Sequence, residues 1–190
     1  MADNELMLTK GLKACIWTPK ERQTTPFANG GGIVVMQGFP FWHLRCEYEN
    51  LGDADWVALR AWLSRRRGAF SPFKAFRAMN RTPIGGASSC TVSAGGGGTI
   101  TATASPALQV GDMVAYDVPA GGRAVVELTA ANGGNNFDCF PPAPAGSANP
   151  ECVDAGGYFR IIPESVSMSE PYDPKKSLRF EARQDEPSYA

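Results

Sequence analysis

The chain has 190 residues, a net charge of -1 and a hydrophobic fraction of 43%. These values exclude wholesale disorder, a polybasic membrane binder and the strongly basic footprint of a nucleic-acid binder. No apolar run approaches the roughly 20 residues of a membrane helix, and the N-terminus lacks an apolar signal core, so a cytoplasm-like compartment is expected.

The predicted elements begin with a short strand over 6–8 and a second over 13–18. The stretch 19–32 is polar and ends in Gly30, Gly31 and Gly32, as a long loop or the tip of a hairpin does. Residues 33–37 are apolar and β-branched, and Gly38 and Pro40 break that strand. In 41–48, Trp42, Leu44, Cys46 and Tyr48 alternate with Phe41, His43, Arg45 and Glu47, the period of a half-buried strand. The one strong helix follows, over about 54–67. Trp56, Leu59 and Leu63 lie on one face, and Ala58 and Trp62 widen it. Asp53 suits the N-cap, Arg65, Arg66 and Arg67 suit the negative end of the dipole, and Gly68 suits the turn beyond it. Phe70, Phe73 and Phe76 then return as a strand.

From Arg77 the composition shifts to turns and short strands. A hairpin with a glycine turn is expected over 91–103, and two short strands around a Gly111-Asp112 turn over 108–116. A strand over 123–130 is stopped by Asn132-Gly133-Gly134. A last short strand over 136–140 meets a proline-rich loop, where regular pairing is not expected. After Gly157, alternation resumes around Tyr158, Arg160 and Ile162, and a terminal strand covers 178–183. The fold class predicted is mainly β with one flanking helix. A discontinuous β domain, 1–84 plus 158–184, carries an inserted small β-barrel over 85–157, and 185–190 is a frayed tail. Removal of such an insertion should cost little. Trp56, Leu59, Leu63 and Phe180 are the expected core of the first domain.

The chemistry of the sequence is sparse. Five cysteines form no C-x-x-C pair, so neither a zinc site nor a disulfide framework is expected, and the thiols read as buried small hydrophobes. Cys139 and Cys152 flank the proline-rich loop and are the pair to examine for proximity. The single histidine, His43, sits in a strand without a G-x-S-x-G elbow, and reads as structural. The glycine run 95–98 has no following G-K-[ST], and is not a phosphate loop. No catalytic residue, cofactor or metal is expected.

The order of several weak motifs resembles the distal tail (minor tail) proteins of long-tailed bacteriophages and related gene transfer agents. They are an early Trp17 strand, Phe41-Trp42-His43-Leu44, and a helix ending in R-x-x-G-x-F over 59–70. Pro83-Ile84-Gly85, Val110-Gly111-Asp112, an N-G-G turn followed by Pro-Pro, and the closing segment 159–168 complete the set. The loop 141–152 is longer than that pattern has. The resemblance implies a structural protein of the virion, assembled in the host cytoplasm. It implies a tail-tube-like β-sandwich carrying an OB- or SH3-like barrel, in a ring of six copies. The ring would join the tail tube protein to the tail hub protein, with DNA passing through its lumen without specific binding. Glu21, Arg22, Gln23, Phe27 and Asn29 of the polar segment, with Arg65, Arg66 and Arg67, are the expected subunit interface. A tail tube or tail completion protein, or a carbohydrate-binding module, are the alternatives.

Overall fold

The computed structural model describes residues 11–20, 23–24, 27–28, 31–32, 35–36, 40–66, 71–77, 81–169 and 175–185, with backbone alone between 21 and 39. The expected strand over 6–8, Gly68 and Phe70 lie outside the described residues. The protein is mainly β, with one α-helix among the described residues.

The first sheet is antiparallel throughout. It contains β1 (Leu12–Lys20) and, beyond the short strands β2 (Gln23–Thr24), β3 (Phe27–Ala28), β4 (Gly31–Gly32) and β5 (Val35–Met36), the long strand β6 (Phe41–Leu51). The helix α1 (Asp53–Arg65) leads to β7 (Phe73–Phe76). The C-terminal third adds β14 (Gly156–Ile161), a 3-10 turn at Pro163–Ser165, β15 (Ser167–Met168) and β16 (Lys176–Gln184). The order across the sheet is β1-β6-β16-β14-β7, with β15 also on β16. The last strand thus pairs with a strand of the first third, Phe180 opposite Cys46.

One face of this sheet is covered by α1. Trp56, Leu59, Trp62 and Leu63 are buried, while Ala58 is exposed and does not widen the face as its position suggested. Trp62 meets Phe73 and Phe180 at ring distances of 5.1 and 5.9 Å, and Phe180 stacks on Tyr48 at 6.3 Å. The expected core residues Trp56, Leu59, Leu63 and Phe180 are all buried, Phe180 and Leu59 completely. The N-cap is Gly52 rather than Asp53. The Asp53 carboxylate is drawn off instead by Lys176 of β16, which ties the first turn to the sheet and depresses the acid's pKa.

The second sheet spans β8 (Cys90–Ser93), β9 (Gly97–Ala104), β10 (Met113–Asp117), β11 (Arg123–Ala131), β12 (Asn136–Ala143) and β13 (Ala148–Glu151). Its order is β13-β10-β11-β12-β9-β8, and a bridge between Ala94 and Gly146 brings the ends nearly together as a small barrel. Gly146 permits this, because a Cβ there would stand 3.0 Å from the Asp117 carbonyl and 3.1 Å from the Tyr116 ring.

Two local expectations fail in this sheet. The first is a strand before Gly111: the buried Asp112 carboxylate accepts the backbone N–H of Ile84 (2.7 Å) and of Gln109 (2.8 Å), which holds that segment in a turn. The second is a proline-rich loop. β12 runs on through Pro141 and Pro142, whose missing N–H groups fall where the pairing with β9 shifts register between Asp138 and Ala143. Pro150 lies in β13, an end strand of this order, paired with β10.

The two sheets share a seam. Met113, Ala115 and Val125 of the barrel belong to the core of the first sheet. Trp42 donates its indole N–H to the Val125 carbonyl at 2.9 Å, and its ring meets Phe140 at 6.3 Å. A Cβ on Gly157 would come within 2.8 Å of a Val125 methyl, so β14 and β11 approach closely only because glycine stands there. Arg123, nearly buried, pairs with Asp117 (2.6 Å) and Glu151 (2.7 Å) and donates to the Gly156 carbonyl (3.0 Å). Chain exit and return are adjacent, since Phe76 and Gly156 are partners across β7 and β14.

Candidate subunit-contact site

Beyond the foot formed by β1 and β6, where Lys20 faces Phe41, the chain continues as a narrow ribbon. Gln23 and Thr24 pair with Met36 and Val35, and Phe27 and Ala28 pair with Gly32 and Gly31. The described parts of the polar stretch are therefore paired antiparallel, as the outgoing and returning arms of a hairpin are. The expected strand over 33–37 appears at Val35–Met36 as the returning arm. Among the described residues these four short strands pair only with one another. Gln23 and Phe27 stand on the outgoing arm, whereas Glu21, Arg22 and Asn29 lie outside the described residues.

The basic run at the helix end divides. Arg65 is exposed, Arg66 is buried and donates from Nη1 to the Pro72 carbonyl at 3.1 Å, and Arg67 lies outside the described residues. The Arg66 guanidinium thus holds the helix end to the approach of β7. Beside this end, a shallow groove lined by Arg60, Leu63, Ile161, Pro163, Val166 and Met168 opens to solvent, and Met168 is exposed.

The sheet face opposite α1 is a mosaic of paired charges. His43 lies 3.2 Å from Glu181, Arg45 pairs with Glu47, Lys13 with Glu49 at 2.7 Å, and Arg160 with Asp185 at 2.8 Å. The Arg45 guanidinium holds the Glu47 carboxyl below its ordinary range. Each of these basic groups sits beside an anion, while Arg183, opposite His43 on the same face, lies over the Phe41 ring at 4.7 Å. Asp185 is thereby fixed, and the buried Gln184 accepts the Trp42 backbone N–H at 3.0 Å, so the frayed tail expected over 185–190 begins no earlier than 186.

Among the described residues no group of three His, Cys, Asp or Glu is placed to hold a metal ion, and no helix is long and apolar enough to cross a membrane. Cys139 and Cys152, the pair to examine for proximity, have other neighbours: Cys139 Sγ approaches the Gly98 carbonyl at 3.5 Å, and Cys152 neighbours Cys90. Burial, with Cys152 beside it, pushes the Cys90 thiol up to about 12. Cys15 and Cys46 face one another across β1 and β6 with their sulfurs 3.6 Å apart. The sequence placed Cys46 on the apolar face of an alternating strand, but register between strands, and so its partner, is not visible in spacing.

The sequence matches no protein-family model and no curated protein.

Proposed function

We propose that this protein is a ring-forming structural subunit of a phage-type tail tip, the distal tail protein that joins the tail tube to the hub. The observation that carries this reading is the ribbon: two strands that pair only with each other among the described residues. An isolated two-stranded hairpin is marginal in water and gains stability when a further strand or apolar face covers it. A neighbouring copy supplies such a face, and head-to-tail contacts of this kind must close into a ring to avoid a filament. The order of motifs favours six copies with a lumen through which DNA passes. The paired charges on the open sheet face suit a wall that does not hold phosphate.

The same reading gives the chain no catalytic role and places the nearly closed barrel outside the ring as a platform. A tail tube or completion protein would share the first sheet but has less use for the barrel. A carbohydrate-binding module needs exposed aromatic rings on the barrel. Tyr116 and Phe137 are buried, and Phe140 packs on Trp42, so no observation favours that alternative.

Negative-stain imaging with light scattering tests the proposal. The full chain should form closed rings, and deletion of 21–31 should leave a folded monomer. Rings of normal size from the deletion variant would remove the role given to the ribbon, and a full chain that stays monomeric at high concentration would remove the ring itself.

A further inference from the structure

We propose that Cys15 and Cys46 form a peroxide-sensitive dithiol that closes to a cross-strand disulfide and fastens the foot of the ribbon. The two residues are direct partners in the β1–β6 register, on the core-facing side, with sulfurs 3.6 Å apart. Partners opposite one another in antiparallel strands hold their Cα atoms about 4.5–5.5 Å apart, within the span a disulfide accepts. Side-chain rotation is enough to bring the sulfurs to bonding distance, with no change of register.

The pair is asymmetric in a way that suits the chemistry. Cys46 is completely buried and donates its S–H to Cys15. Cys15 is half-buried on β1, the edge strand of the sheet, where a small oxidant has access. The bond from Cys46 holds the Cys15 thiol below its ordinary pKa. Burial, and the same bond, push the Cys46 thiol up. Trp17 supplies an independent sign. It is two residues from Cys15 on the same face of β1, it is nearly buried, and its Nε1 has no hydrogen-bond partner among the described residues. A buried donor left without an acceptor is costly. Negative charge or a sulfenic oxygen at Cys15 would give it one.

With hydrogen peroxide as oxidant the steps balance. The Cys15 thiolate attacks one peroxide oxygen, the O–O bond breaks, and hydroxide leaves to take up a proton as water; Cys15 becomes a sulfenic acid. The Cys46 sulfur then attacks the Cys15 sulfur, the S–O bond breaks, and the hydroxyl leaves with the Cys46 proton as a second water. Two thiols and one peroxide give one disulfide and two waters. A thiol reductant reverses the step by exchange. The other close thiol, Cys90, stays protonated near neutral pH, because burial and Cys152 push it up to about 12, and Cys139 is pushed up to about 11 by burial.

The bond would enclose about 30 residues, the whole ribbon included. Constraining a loop of that length in the unfolded chain favours folding by roughly several-hundred-fold. The test treats the purified full chain with hydrogen peroxide, alkylates the remaining thiols after denaturation, and maps the peptides by mass spectrometry. The expected result is a fall from five alkylated thiols to three, a Cys15–Cys46 linked peptide, and a later denaturant midpoint for the oxidised protein. Cys15→Ala should slow thiol loss roughly tenfold or more, since the reactive thiolate is gone. Cys46→Ala should stop at a Cys15 sulfenic acid that a 1,3-diketone probe captures. A disulfide mapped elsewhere, five thiols surviving excess peroxide, or an oxidised protein that melts no later than the reduced one would overturn the proposal. The wild-type map does so even where a variant fails to fold.

Discussion

The two sheets solve the burial problem with different side chains. The first sheet is open and covered by one helix, and its core is built from rings: Trp17, Trp42, Tyr48, Trp56, Trp62, Phe73, Phe159 and Phe180. The barrel closes nearly on itself, and its core is built mostly from small residues such as Ala94, Ala102, Val114, Ala124, Val126 and Ala143. The distance to be filled explains the contrast. A helix lying on a sheet leaves a gap of the order of 10 Å between backbones, which long rings span, while the interior of a small barrel has room for short side chains. Ring size along a sequence is therefore informative about layer geometry, and not only about hydrophobicity.

The comparison can be broken most severely at its seam. Replacing 86–156 with a short linker should cost on the order of 3–6 kcal/mol, because the first sheet loses the cover of Met113, Ala115 and Val125 and Trp42 loses its acceptor. The sequence reading expected such an excision to be cheap, and the shared core is the reason a larger cost is expected here. Phe180→Ala, inside the ring-built core, should cost about 3–5 kcal/mol. Denaturant melts of both variants beside the parent check the pair. Near-parent stability of the excised chain would show that the seam contributes nothing.

Gly157→Ala sharpens the comparison from the other side. A methyl there meets Val125, a stiff β-branched side chain, at 2.8 Å. The seam should open by a few tenths of an ångström at a cost of about 1–3 kcal/mol, read as a lowered midpoint. The smallest effect belongs to the surface clasp of Arg81 and Asp154, 2.7 Å apart and both substantially exposed. Arg81→Ala should cost less than about 1 kcal/mol at neutral pH. The clasp depresses the Asp154 pKa below its ordinary 3.8, so its contribution is present above that value and is lost as pH falls through the folded pKa. Melts of parent and variant should therefore differ at pH 7 and converge in acid. A gap that widens in acid would contradict the assignment.

How much of this was legible in the sequence follows from the range of each signal. The helix face, the alternation in β6 and the N-G-G turn are local patterns, and each corresponds to an element in the structure. That the terminal strand belongs with the first third was read as a discontinuous domain, and Phe180, expected in its core, is buried opposite Cys46 of β6. What escaped depends on tertiary partners. Asp53 reads as a cap until Lys176 competes for it, Arg66 reads as surface until Pro72 accepts from it, and prolines read as a loop until a register shift excuses their missing N–H groups. The candidate contact site was legible as a polar stretch, a long loop or the tip of a hairpin; which residues pair across it depends on a register that spacing does not encode.

The adjacency of Phe76 and Gly156 bears on how such a chain can change over time. Two neighbouring strands that part at one point and rejoin there form a socket, into which another compact module could be grafted without rerouting the sheet. Compatibility would be decided by the face the newcomer turns inward. It must bring an apolar patch to take over from Met113 and Val125 and a carbonyl for the Trp42 indole, so descent with exchanged platforms should leave these few positions chemically alike while the rest of the module drifts.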